Sequence, residues 1–279
     1  MSEKIELLAW NQCIGRVISN IDRATVLDEL LGGISDNVPF DLWYVAFFRT
    51  DGPPLEVGYS YAANTREEYA EGPYLLCPFY NAFLDGLASG CYSMKQFAPP
   101  DFKNSEYYLT YYAPWGDSSE VAYNLVMDEN TAAHVSLSRR GKHARFSAAE
   151  MRFLEQALPV VNAVMDRIWQ RTRLENQDGQ QFGMDFHVRM TQAFRKFGTA
   201  YLTDRESEIT HLLLRGHSAK SIARLLDISP GTVRNHMKSI YIKLEISSQA
   251  ELFGLFFESL SHVGNDMAED PLTTLRKTG

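Results

Sequence analysis

A chain of 279 residues is longer than one small module and ordinary for two domains. Its hydrophobic fraction of 45% and charged fraction of 22% are those of a globular protein with a buried core, and no run approaches the roughly 18 apolar residues of a membrane span. The net charge of -8 excludes a chain that is basic all over, so any contact with nucleic acid has to be local.

The opening Met1-Ser2-Glu3-Lys4-Ile5-Glu6 mixes charges of both signs and has no apolar signal core, which predicts a cytoplasmic protein. Leu7, Leu8, Ile14, Val17, Ile18 and Ile21, then Val26, Leu27, Leu30, Leu31 and Ile34, recur at helical spacing and predict two helices over 1–38. Asp41 to Arg49 is apolar on both faces, as in a strand covered on both sides. The turn Asp51-Gly52-Pro53-Pro54 leads to a partner strand from Leu55 to Tyr61. Residues 64–112 read as crossover helices and loops rich in aromatics. Glu120 to Met127 and Ala133 to Ser138 read as two further strands around Asp128-Glu129-Asn130. Ser147, with Glu150 three residues on, caps a long helix through Trp169. The polar run from Arg171 to Gly183 suits a linker, followed by a short helix from Phe186 to Phe197. Cys13, Cys77 and Cys91 are too widely spaced for a disulfide framework or a zinc site and fit a reducing compartment.

From residue 202 the punctuation becomes dense. Thr203 and Glu206 form a capping box ahead of Ile209, Leu212 and Leu213, and Gly216 ends that helix. Ser218 starts a second helix whose inner face carries Ile222, Ala223, Leu225 and Leu226. Asp227-Ile228-Ser229 is a tight turn, with Ser229 as N-cap and Pro230 at the first helical position. The third helix turns Val233, Met237, Ile240, Tyr241 and Leu244 inward and Arg234, Asn235 and Lys238 outward. Between residues 215 and 243 the charged residues are Arg215, Lys220, Arg224, Arg234, Lys238 and Lys243 against Asp227 alone, a basic stripe on an acidic chain. Two short helices joined by such a turn, the second bearing basic and amide side chains, can place a helix in a major groove. A fourth helix carries Ala250, Leu252, Phe253, Leu255, Phe256, Phe257 and Leu260, more apolar than a small domain needs, and is expected to share a dimer interface with the 147–169 helix. The tail after His262 is polar and is expected to be loose.

Residues 202–252 closely resemble the LuxR/FixJ-type DNA-binding domain: the opening Leu202-Thr203 with Arg205-Glu206, Ser218 with Lys220 and Ile222-Ala223, Thr232-Val233 with His236, and Ile240-Tyr241 with Lys243-Leu244 occur in order. The resemblance implies a double-stranded DNA partner, with Arg234, Asn235 and Lys238 facing bases and Lys220, Thr232, His236 and Lys243 on the phosphate side. It also implies two copies on a pseudo-palindromic operator. Gln249 departs from the pattern, standing where the family usually has Arg.

The full pattern predicts an α+β chain: an α/β sandwich over 1–171, a linker and connecting helix over 172–198, an all-α four-helix helix-turn-helix domain over 199–262 and a polar tail over 263–279. The first part is similar to the GAF-like or PAS-like sensory domains that precede LuxR-type output domains. Most of the aromatic residues fall between Phe40 and Tyr123, a density that suits a cavity or an interface. Trp43, Phe47, Tyr61, Tyr111, Trp115 and Asp117 are the candidate ligand residues, and Asp117 and Glu120 beside Trp115 are compatible with an aromatic cage for an amine. The plain alternative is ordinary core plus a dimer surface. No metal-ligand spacing, cofactor motif or nucleophile elbow is present, so neither metal nor catalysis is expected. The resulting expectation is a DNA-binding regulator controlled by a small-molecule effector. Its rival is a regulator whose first domain is a protein-interaction module or a fused enzyme.

Overall fold

The computed structural model describes residues 7–60, 73–99, 102–104, 108–109, 113, 117–141, 145–175, 191–261 and 269–278. Contacts divide the chain into two compact units, one of Met1–Arg66, Ala82–Gln96 and Gly116–Phe182, the other of Glu67–Asn81, Phe97–Trp115 and Gly183–Gly279. Among the described residues no helix is long and apolar enough to cross a membrane.

The first unit is an α+β layer structure. Helices α1 (Leu7–Ser19) and α2 (Val26–Ser35) precede β1 (Leu42–Arg49) and β2 (Leu55–Tyr59); β3 (Gly90–Ser93), β4 (Asp117–Asp128) and β5 (Thr131–Arg140) complete an antiparallel sheet in the order β2-β1-β5-β4-β3. Side chains alternate across a strand, so one parity of each strand faces the helices. Val45, Phe47, Val121, Tyr123, Leu125, Ala133, Val135 and Leu137 take that side and meet Leu30, Ile34, Leu154, Val161, Met165 and Ile168 in a single core. The last four of these lie on the long helix between Ala148 and Glu175, which Ser147 and Glu150 cap reciprocally as expected. The Tyr123 hydroxyl donates to the Leu154 carbonyl at 2.9 Å and fastens that helix to the sheet. Helices α1 and α2 close on one another at Gly33, where an added Cβ would lie 2.1 Å from Cys13 Sγ.

Four of the five strands were expected. The fifth, the edge strand β3, lies in the stretch expected to be crossover: its four residues, Gly-Cys-Tyr-Ser, are too few to show an alternation. The long helix runs on to Glu175, into the segment read as linker, because hydrophobic and charged residues continue at helical spacing past Trp169; residues 176–190 lie outside the described ones.

In the second unit, α3 (Pro78–Leu84) contributes its first turn and Tyr74 packs edge-on against Tyr80 at 5.1 Å. Helical residues 191–196 lead to α4 (Asp204–Leu214), α5 (Ala219–Leu225), α6 (Pro230–Leu244) and α7 (Gln249–Ser261). Much of the apolar face of α7 is covered inside this unit: Leu252, Phe253, Phe256 and Leu260 are buried, and Phe256 takes the edges of Phe194 and Phe197. The tail departs from the loose end expected of it. Pro271–Thr278 forms a further helix, α8, with Leu272 fully buried. Buried Asp270 starts it and accepts from Gly198 N at 3.1 Å and Ala200 N at 2.8 Å, a long-range capping that local sequence does not announce.

Candidate functional site

The helix-turn-helix follows from its punctuation. Thr203 Oγ accepts from Glu206 N while the Glu206 carboxylate accepts from Thr203 N at 2.9 Å, which satisfies two free donors of the first turn of α4. Ser218 caps α5 by accepting from Ser221 N. Asp227 takes a left-handed φ of 51° in the turn, and Ser229 then caps α6, with Pro230 in its first turn. At its far end Glu245 adopts φ 62° and stops the helix.

On α6, Val233, Ile240 and Leu244 are buried, and Met237 and Tyr241 are half-buried. Arg234, Asn235 and Lys238 are exposed, and their spacing puts them within one helical face. Lys220 is exposed on α5. None of Lys220, Arg234 or Lys238 enters an ion pair among the described residues. A shallow surface groove runs past Asn235, Lys238, Ser239, Ile242 and Lys243. Thr232 is exposed at the N-terminus of α6 with its hydroxyl 2.8 Å from Ser229 Oγ, and His236 is half-buried.

Lys243, expected on the phosphate side, is exposed and also makes an ion pair within the helix-turn-helix. Its ammonium lies 2.6 Å from Glu206 Oε2, and Ser239 donates to Glu206 Oε1 at 2.6 Å. Burial by itself would raise the Glu206 carboxyl. The donors on it, Lys243 first, then Ser239 and Thr203, outweigh burial and hold it at about 2. Glu206 thereby locks α4 to α6 and fixes the angle at which the outward side chains are presented. Gln249, where the resemblance predicts Arg, donates to the Leu213 carbonyl at 2.9 Å and ties α7 to the end of α4.

The second face of the sheet forms another polar grouping. The parity opposite to the helix-packed core brings Tyr44, Ala46 and Phe48 of β1, Glu120, Ala122 and Asn124 of β4, and His134, Ser136 and Ser138 of β5 to one surface. All nine are buried. The register sets Tyr44 beside Ser136 beside Ala122, and Ala46 beside His134 beside Asn124. His134 Nδ1 and Asn124 Oδ1 are 2.7 Å apart, and the imidazole stacks on Phe48 with centroids 4.4 Å apart. Burial pulls the His134 pKa down to about 3, so the ring is neutral. Ser136 donates to Glu120 Oε1, while buried Glu120 Oε2 has no hydrogen-bond partner among the described residues. Burial pushes the Glu120 carboxyl up to about 7, against the pull of the Ser136 hydroxyl.

Of the expected ligand residues, Phe47 belongs to the opposite face, inside the helix-packed core with its ring 4.8 Å from that of Trp169. Trp43 shares that parity and packs half-buried against the same core. Neither can line the second face, because a step of one residue along a strand reverses the side. Tyr61, Tyr111 and Trp115 lie outside the described residues, and Asp117 begins β4 opposite Arg140. Sequence reasoning missed Asn124, His134 and Ser136, although a signal was present. In Glu120–Leu125 and Ala133–Ser138 apolar and polar or small residues alternate, which separates the polar parity from the apolar one.

Residues 200–256 match the family described as bacterial regulatory proteins, luxR family. Over 185 residues the chain is 32% identical to an HTH-type transcriptional regulator in the exeN 3' region of Aeromonas salmonicida, covering 66% of this chain and 94% of that protein. It is 24% identical over 230 residues to the monoamine regulon transcriptional regulator of Klebsiella aerogenes, covering 81% and 88% of the two chains. Among solved structures, the VqsR LBD domain from Pseudomonas aeruginosa aligns with a TM-score of 0.52 at 28% identity, covering 58% of this chain and 97% of that one.

Proposed function

The chain belongs to the LuxR family of bacterial regulatory proteins, and with that as premise we propose that α6 reads operator DNA under the control of a small molecule held on the second face of the sheet. The observation that carries the DNA half is the outward set Arg234, Asn235 and Lys238, exposed on a helix whose two ends and inner face are fixed. Arg donates twice to guanine O6 and N7, Asn pairs with adenine N6 and N7, and Lys adds a less selective charge. Lys220 and Thr232 flank this set and suit phosphate contacts, with His236 behind them; Lys243 acts through Glu206 instead. One such helix reads a short half-site, so the active form is a homodimer on a pseudo-palindrome.

The sensing half is supported by a sheet face that is buried yet lined with Glu120, Asn124, His134 and Ser136, where an idle core would be apolar. The likeness to the VqsR LBD domain supports the same reading.

The test uses the operator selected from random DNA by the full-length chain, with affinity followed by fluorescence anisotropy. Arg234→Ala is expected to cost about 1–3 kcal/mol and to relax the preference at one base pair. Lys220→Ala is expected to weaken all sequences alike and to reduce the salt slope by about one ion. An Arg234→Ala chain with unchanged affinity and preference would show that α6 has been given the wrong reading face. Native mass spectrometry addresses the sensing half. A chain that never carries a small molecule, and whose operator affinity no metabolite extract alters, would leave the first unit as a partner-docking module.

A further inference from the structure

Resting on the sensing reading above, we propose that the ligand is a small organic ammonium whose nitrogen donates to Glu120 Oε2 on the second face of the sheet. Glu120 is only 8% exposed. Its Oε1 accepts from the Ser136 hydroxyl, and its Oε2 has no hydrogen-bond partner among the described residues. A buried carboxylate oxygen without a donor is costly, and most so when the group is ionised. Among the described residues no cation meets this need. The guanidinium of Arg139 is held by Glu150 and by the Pro39 and Arg145 carbonyls, and that of Arg49 by Asp51. His134 shares the face but is neutral and paired with Asn124.

The surroundings define the rest of the ligand. Ala122, Ser136 and Ser138 give a low floor beside Glu120, and Tyr44 of β1 stands next to Ser136. A low floor with an aromatic border suits a short apolar body, and a ring face attracts a cationic head. An ammonium satisfies the orphaned oxygen and also compensates the charge that burial penalises. A neutral hydroxyl satisfies only the oxygen, and a carboxylate would repel it. Charge-assisted hydrogen bonds are about twice as strong as neutral ones, so the ammonium is the preferred occupant.

The experiment uses the full-length chain and its Glu120→Gln variant, each titrated calorimetrically at neutral pH. The probes are a homologous series of primary alkylamines with phenethylamine, their alcohol counterparts, and the matching carboxylates. The proposal expects one or more amines to bind the unmodified chain at least about tenfold more tightly than the corresponding alcohol, a difference of about 1.4 kcal/mol. It expects Glu120→Gln to erase that preference. Because glutamine keeps the shape and removes the ionisable group, the variant should melt no lower than the parent, which separates lost recognition from lost folding. If an alcohol or carboxylate binds both proteins equally, the ammonium assignment falls and ligand sensing stands. If no probe binds either protein and Glu120→Leu melts higher than both, the face is core and both readings fall.

Discussion

Glu206 and Glu120 both lie out of water, and both accept a serine hydroxyl. Their surroundings send them to opposite ends of the carboxylate range. Glu206 also accepts from Lys243 Nζ and from the backbone and side chain of Thr203, and sits at about 2. Glu120 has Ser136 alone among the described residues and sits at about 7. The donors of Glu206 come from the N-cap of α4 and from α6, so both of its carboxylate oxygens are satisfied within the helix-turn-helix. On the second face of the sheet, Glu120 Oε2 has no donor among the described residues. A complete network fixes a shape, whereas an incomplete one leaves interaction energy for whatever supplies the missing group.

The largest effect that would break this comparison belongs to Glu206→Ala. It leaves Ser239 without its acceptor, removes half of the capping box and breaks an ion pair that solvent screens at the part-exposed Lys243 side chain, together expected to cost about 3 kcal/mol. Hydrogen exchange should then rise across Asp204–Leu214 and Pro230–Leu244, with operator affinity falling in parallel. Unchanged protection there would mean that the network is ornamental. The next effect concerns pH. The Glu120 carboxyl titrates higher in the folded chain than its ordinary 4.5, so the folded state holds its proton more tightly. Its contribution is therefore fully present below about pH 4.5 and fades as pH rises through about 7. Relative to Glu120→Gln, the parent chain should gain roughly 3 kcal/mol of stability on going from above pH 7 down to pH 4.5. Glu206 has the opposite sign, its stabilisation being lost only as pH falls from about 4.5 through 2. Parallel stability curves for parent and Glu120→Gln in urea titrations would remove the contrast between the two carboxylates.

The unequal completeness of the two regions also decided what the sequence could disclose. Thr203 with Glu206, Ser229 with Pro230, and the turn at Asp227 act over a few residues, so the helix-turn-helix and its outward face were legible. The sheet needed information that β1 does not contain. With both faces apolar from Tyr44 to Phe48, nothing in that strand says which parity meets the helices, and the structure places Trp43 and Phe47 on the helix-packed side. Strands β4 and β5 do alternate, and their antiparallel register with β1, in which Val45 meets Val135, would have settled the parity. The Lys243–Glu206 pair and the Asp270 cap span 37 and 72 residues, and such separations leave no local trace.

The smallest expected effect tests whether the bracing of α6 extends to the tail. Arg276 on α8 donates to the Leu244 carbonyl at 3.2 Å, at the very end of the reading helix, and its guanidinium stands 4.5 Å over the Tyr201 ring. The last carbonyls of a helix lack intrahelical partners, and a cation there satisfies one of them and opposes the negative end of the dipole. The side chain is about a third exposed, so solvent weakens both contacts. Arg276→Ala is therefore expected to cost about 1 kcal/mol, seen as faster exchange in the last turn of α6 and in Pro271–Thr278 with α1 and α2 unchanged. Operator affinity should drop by less than for Arg234→Ala and equally for all sequences, because the brace holds the helix without touching a base. An Arg276→Ala chain with full protection at Leu244 would mean that Glu245 and the α6 C-cap suffice, and that α8 is held by Asp270 for its own stability alone.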